Sequence, residues 1–149
     1  MSGPVAVLDT SVFVSAKVPD EPEHSASAQL LELAHLRRFR AIVSTVTVSE
    51  LSAGYHRVRD DLGRRAFLDY VRSAGTIEAV SVDVDVADEA ARIRSETALR
   101  LPDALIVATG LRSGAEGIVT HDRGFARAKG RIRICSAREY LRRLGPAQG

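Results

Sequence analysis

Short apolar runs of strand character alternate along this chain with longer stretches of helical periodicity, and that alternation leaves few folds open. The runs fall at 5–8, 41–44, 77–82, 118–120 and 131–134. Each is too short for a stable helix, and the first, Val5, Ala6, Val7 and Leu8, is apolar throughout, as a buried strand is. Predicted helices fill the intervals at 11–16, 24–38, 47–56, 60–74, 85–99 and 102–114. In the second, Leu30, Leu31, Leu33, Ala34 and Leu36 supply an apolar face. Gly75 stops the fourth, Pro102 suits the first turn of the sixth, and Ser136 with Glu139 forms a capping box for a short last helix. Strands joined through helices must run parallel. The expected fold is α/β, a mostly parallel central sheet of about five strands flanked by helices. It spans 1–149 as a single domain, with 145–149 as a frayed tail.

Hydrophobic content of 45% and charged content of 27% exclude a disordered chain. The first four residues show no basic segment leading into an apolar stretch, and no run reaches membrane-spanning length. Cys135, the only cysteine, cannot form an intramolecular disulfide and reads as a packed strand-end residue. The expectation is a cytoplasmic protein with no membrane partner. Net charge is only +2, yet from 112 to 143 nine Lys/Arg face three acids. Such a segment suits phosphate. Equally, it is a solvated surface in a chain whose 21 basic residues include 19 arginines.

Four acids stand at the edges of apolar runs: Asp9, Glu50, Asp103 and Asp122. Sites in open α/β sheets form beyond the carboxyl ends of the strands. Asp9 follows the first strand, Asp122 follows the fourth, and Glu50 and Asp103 lie early in helices. Each has a plain structural explanation. Glu50 has capping-box spacing from Thr47, Asp9 suits a strand-to-helix turn, and Asp103 and Asp122 suit a helix start and a turn. Taken together they suggest carboxylates meeting in one crevice, where like charges repel. A hard divalent cation relieves that conflict, and hydrolytic chemistry follows.

The strings Leu8-Asp9-Thr10-Ser11-Val12-Phe13, Thr47-Val48-Ser49-Glu50-Leu51, Leu101-Pro102-Asp103-Ala104-Leu105-Ile106 and Val119-Thr120-His121-Asp122-Arg123-Gly124-Phe125 together resemble a PIN-domain nuclease. More narrowly, they resemble the VapC-type toxins of bacterial toxin–antitoxin pairs. The resemblance implies a metal-dependent endoribonuclease with Mg²⁺ or Mn²⁺ held by Asp9, Asp103 and Asp122, and with Glu50 completing the catalytic site. It implies Thr10, Ser11 and Thr120 as hydroxyl supports of the acids. It further implies products with a 5′-phosphate and a 3′-hydroxyl, a cognate antitoxin, an RNA substrate and a homodimer. A metal acidifies a water and neutralises phosphoryl charge, and either Glu50 or Asp122 could take the proton. Arg123 stands ready for a substrate phosphate or is a surface turn residue.

Other residues read as structural. Strand alternation turns His121 away from Thr120 and Asp122. His24, His35 and His56 read as surface, Asp85 and Asp88 as helix caps, and Tyr55, Phe67, Tyr70 and Phe125 as core. Three rival functions exist. A receiver domain needs an acid pair after the first strand and a lysine near the last, but Thr10 follows Asp9 and the fifth strand carries Arg131 and Arg133. A dehalogenase-type phosphatase needs an aspartate where Ser11 stands. A housekeeping PIN nuclease without antitoxin is barely excluded by the domain sequence alone, and a small antitoxin gene immediately upstream would decide between the two.

Overall fold

The polypeptide alternates its side chains across five parallel strands, and the two resulting faces account for the whole core. The computed structural model describes residues 3–73 and 75–146. The strands are β1 (Val5–Leu8), β2 (Arg40–Ser44), β3 (Ile77–Val80), β4 (Gly117–Val119) and β5 (Arg133–Cys135). The helices are α1 (Thr10–Lys17), α2 (His24–His35), α3 (Thr45–Arg57), α4 (Asp61–Ser73), α5 (Val84–Thr97), α6 (Leu101–Arg112) and α7 (Ala137–Leu144), with a 3₁₀ segment at Arg123–Ala128. Ala6, Leu8, Ala41, Val43, Val119 and Cys135 face one core layer with α1, α2 and α7. Val7, Ile42 and Ile118 face the other, built on α5, α6 and the 3₁₀ segment. The period of two along each strand sets this division.

The sheet order is β3-β2-β1-β4-β5 with every pairing parallel. The chain therefore winds outward from β1 to β3, then returns to start again at β4 on the other side of β1. That reversal opens a crevice at the carboxyl ends of β1 and β4, where ligands bind in folds of this kind. Among the described residues no helix is long and apolar enough to cross a membrane.

Several local expectations are corrected. Thr47 does not cap α3; Ser44 does, its side chain accepting from the backbone N–H of Val46. Thr47 is fully buried instead. Asp83, not Asp85 or Asp88, caps α5 by accepting from Val86. Leu36 lies beyond the end of α2 and is 55% exposed, so it adds nothing to that helix's apolar face. His24 is half-buried, its Nδ1 3.0 Å from the carbonyl of Ser15, where it must act as donor. Phe125 is core, whereas Tyr55, Phe67 and Tyr70 are half-buried. Burial pushes the Cys135 thiol up to about 11, so it is a packed side chain and not a nucleophile. Of the expected tail, residues 147–149 lie outside the described residues, as do Met1, Ser2 and Ala74.

Candidate metal centre and active site

Asp9 leaves the end of β1 as the N-cap of α1, its side chain accepting from the backbone N–H of Ser11. The capping explanation and the site explanation therefore hold together. Asp9 is 5% exposed, and its Oδ2 also accepts from the hydroxyls of Ser11 at 2.9 Å and Thr120 at 2.8 Å. Thr120, one residue beyond β4, accepts in turn from the backbone N–H of Asp122 at 3.0 Å. One hydroxyl thus ties the ends of the two strands that flank the crevice.

Asp103 occupies the first turn of α6 and is 4% exposed. Desolvation by burial raises its pKa, opposed by Arg100, with Asp122 and Asp9 adding to the rise. Those influences place Asp9 and Asp122 each within electrostatic reach of Asp103. Asp122 caps the 3₁₀ segment through the backbone N–H of Gly124 at 2.8 Å. A Cβ on Gly124 would lie 3.2 Å from Asp122 Oδ1 and 3.6 Å from Asp103 Oδ2, so glycine lets this turn close over both acids. Glu50 is exposed on α3, and Thr10 Oγ1 donates to its Oε1 at 2.5 Å while also lying 3.4 Å from Thr47 Oγ1. All four acids line a single cleft of about 360 Å³.

The cleft holds a residue that sequence reasoning missed. Arg100, three positions before Asp103, reaches Asp103 Oδ2 at 3.4 Å and Asp122 Oδ2 at 3.6 Å. Its spacing from Asp103 was the available signal, but that spacing also describes an ordinary surface pair. Arg123 lines an adjoining cleft of about 540 Å³, together with Lys129, Ser136 and Glu139. Three other basic residues of the 112–143 segment are in ion pairs, Arg112 with Asp85, Arg131 with Glu96 and Arg143 with Glu116. His121 lies two residues beyond β4, outside the strand whose alternation was expected to turn it away, and it lines the same cleft as the four acids, its Nε2 3.5 Å from Glu23 Oε2. Its Nε2 accepts from the backbone N–H of Ala137 at 3.3 Å and its Nδ1 lies 3.4 Å from Ser15 Oγ.

Among the described residues no three acid, imidazole or thiol side chains stand at ligating spacing around one point. The donor chemistry nevertheless fits a hard cation. Buried carboxylates converge, they need positive charge, and Arg100 supplies it.

The chain matches the family model described as PIN domain over residues 6–131. It belongs to the PIN-domain family. No curated protein sequence matches it. Among solved structures, PIN folds of toxin–antitoxin systems superpose closely. A toxin–antitoxin complex from Klebsiella pneumoniae has a TM-score of 0.66 at 22% identity, covering 89% of this chain and 97% of that one. FitAcB from Neisseria gonorrhoeae gives 0.68 at 20%, covering 89% and 97%. VapC20 from Mycobacterium tuberculosis, a sarcin–ricin loop cleaving toxin, gives 0.67 at 17%, covering 83% and 94%. The architecture of this PIN domain is thus the one found in VapC-type toxins.

One consequence of the hydroxyl bridge is measurable. Thr120→Val keeps the shape of a side chain that is 5% exposed but removes both the donor to Asp9 and the acceptor for Asp122. Loss of such a supporting group is expected to lower metal affinity or RNA cleavage by about 10–100-fold. Calorimetric metal titration and a cleavage assay check this, with circular dichroism confirming the fold.

Proposed function

We propose that this single PIN domain is a divalent-metal-dependent endoribonuclease, the toxin of a toxin–antitoxin pair, acting on RNA in the cytoplasm as a homodimer. One observation carries the reading: Asp9, Asp103, Asp122 and Glu50 converge at the switch point of a PIN sheet. Asp9, Asp103 and Asp122 would hold Mg²⁺ or Mn²⁺, with Glu50 completing the acidic cleft. When bound, the ion supplies positive charge at the phosphoryl group and acidifies a water.

The chain's own residues do the rest. Ser11 and Thr120 fix the rotamer of Asp9 through three donated bonds, so the carboxylate faces the cleft ready oriented. Thr10 holds Glu50. Glu50 and Asp122 are the exposed acids of the four and remain the two candidates for accepting the water's proton. Arg123 and Lys129 in the adjoining cleft offer positive charge to flanking RNA phosphates. The solved relatives that are described as complexes with antitoxins support the toxin assignment over a housekeeping nuclease.

Chelation tests the mechanism. With total cellular RNA and purified chain, Mg²⁺ is expected to produce discrete mapped cleavages. Excess EDTA should abolish them while the circular dichroism spectrum stays unchanged. Undiminished cleavage in EDTA would remove the metal from the mechanism.

A further inference from the structure

The electrostatics of the cleft leave a question that Arg100 answers. Asp9 and Asp103 are almost fully buried, and Asp9 and Asp122 both act on Asp103. A folded chain with no bound cation must still neutralise them. Arg100 occupies the N-cap of α6 at φ −66° and ψ 154° and makes no side-chain capping bond. Its backbone position is fixed from upstream. α5 ends at Ala98 in the left-handed region, and Leu99, 1% exposed, anchors the corner in the core. From there the guanidinium Nε and Nη2 each stand 3.4 Å from Asp103 Oδ2, and Nη2 stands 3.6 Å from Asp122 Oδ2.

These contacts are longer than the roughly 2.7–2.9 Å of a tight charge-assisted bond. The Arg100 side chain is also 68% exposed. The group is therefore attracted to the acids without being locked onto them, and its stem can swing into solvent. It cannot shed its charge, since guanidinium stays protonated in proteins. It cannot share Asp103 and Asp122 with a divalent cation at no cost, since two positive centres would then crowd the same oxygens.

We propose that Arg100 is the resident counter-ion of the metal-free cleft, and that a divalent cation must displace it from Asp103 and Asp122 in order to bind. The proposal rests on the metal-site reading above and assigns a role to a residue outside the ligand set. Arg100 spares the metal-free fold the repulsion of its acids, and it lowers the affinity of the site for metal below what the carboxylates alone would give.

The test is Mn²⁺ binding to the full chain by isothermal titration calorimetry, with thermal unfolding in EDTA alongside, so cleavage activity is not the readout. Arg100→Gln is expected to bind Mn²⁺ about tenfold more tightly than the wild type, the effect of removing one like charge at close range. In EDTA it is expected to unfold at a lower temperature. Arg100→Lys keeps the charge and should match the wild type in both measurements. Arg100→Ala replaces the Gln variant if that one fails to fold. Equal or weaker Mn²⁺ binding by the neutral variant overturns the proposal and makes Arg100 a support for Asp103. If neither protein binds Mn²⁺, the metal reading itself fails, and competition with it.

Discussion

Asp103→Asn should abolish RNA cleavage and, in the same protein, raise the melting temperature measured without metal. The loss should exceed the roughly 10–100-fold cost of removing a supporting group, because a charged ligand goes. The gain in stability follows from linkage. Burial first, then Asp122 and Asp9, hold the Asp103 carboxyl above its ordinary 3.8, against the pull of Arg100. A raised carboxyl binds its proton more tightly in the folded than in the unfolded chain. Its stabilising effect is complete below pH 3.8 and disappears as pH rises through the shifted value. At neutral pH the ionised group therefore costs stability, and the uncharged amide does not. A higher melting temperature than that of the wild type is expected near neutral pH. The gap between variant and wild type should close as pH falls toward 3.8. Asp85→Asn is the control. Its side chain is 72% exposed and pairs only loosely with Arg112, at 3.7 Å, so activity should be unchanged. Equal damage from the control would mean the wrong acids had been assigned.

Expression of the chain alone is expected to arrest bacterial growth, and Asp9→Asn should lift the arrest. An uninhibited ribonuclease attacks its host's own RNA, so the proposed function requires a co-expressed inhibitor that covers the acidic cleft. The helices framing that cleft offer a place for it. Val14 on α1 is 45% exposed at the cleft wall, and Lys17 of α1 packs over the Tyr55 ring of α3 at 4.2 Å. An apolar helix could lie along this wall. An arginine following it would meet the same carboxylates that Arg100 meets. A small protein encoded immediately upstream should therefore co-purify with the chain. Normal growth at high levels of soluble wild-type chain, with no inhibitor present, would favour the housekeeping nuclease.

The strands, and the four acids that meet in one cleft, were legible because each leaves a local trace. Val5–Leu8 is apolar throughout, and Asp9 follows it directly in a string whose neighbours Thr10 and Ser11 matter as much as the acid. The fold class followed from alternation of strands and helices, but the strand order did not, since β4 pairs with β1 only through contacts more than a hundred residues apart. Caps were misplaced where two polar residues competed. Thr47 and Glu50 have the spacing of a capping box, yet Ser44 captures the free N–H and Thr47 is drawn inward beside Thr10. Arg100 was invisible for a related reason. Its partner at Asp103 is local, but its second partner, Asp122, comes from a segment distant in sequence.

The family match ends at residue 131, yet the cleft's support does not. His121 lies beside Asp122, and its backbone N–H donates to Ser11 Oγ, the hydroxyl that also bonds Asp9. Its ring takes the N–H of Ala137, the first residue of α7. The last helix therefore acts as a guy-rope, anchored on the far layer of the core by the fully buried Tyr140 and holding the Asp122 turn upright. A chain trimmed to the matched segment would keep all four acids and lose the tether, so the family pattern ends before the residues that brace the cleft do.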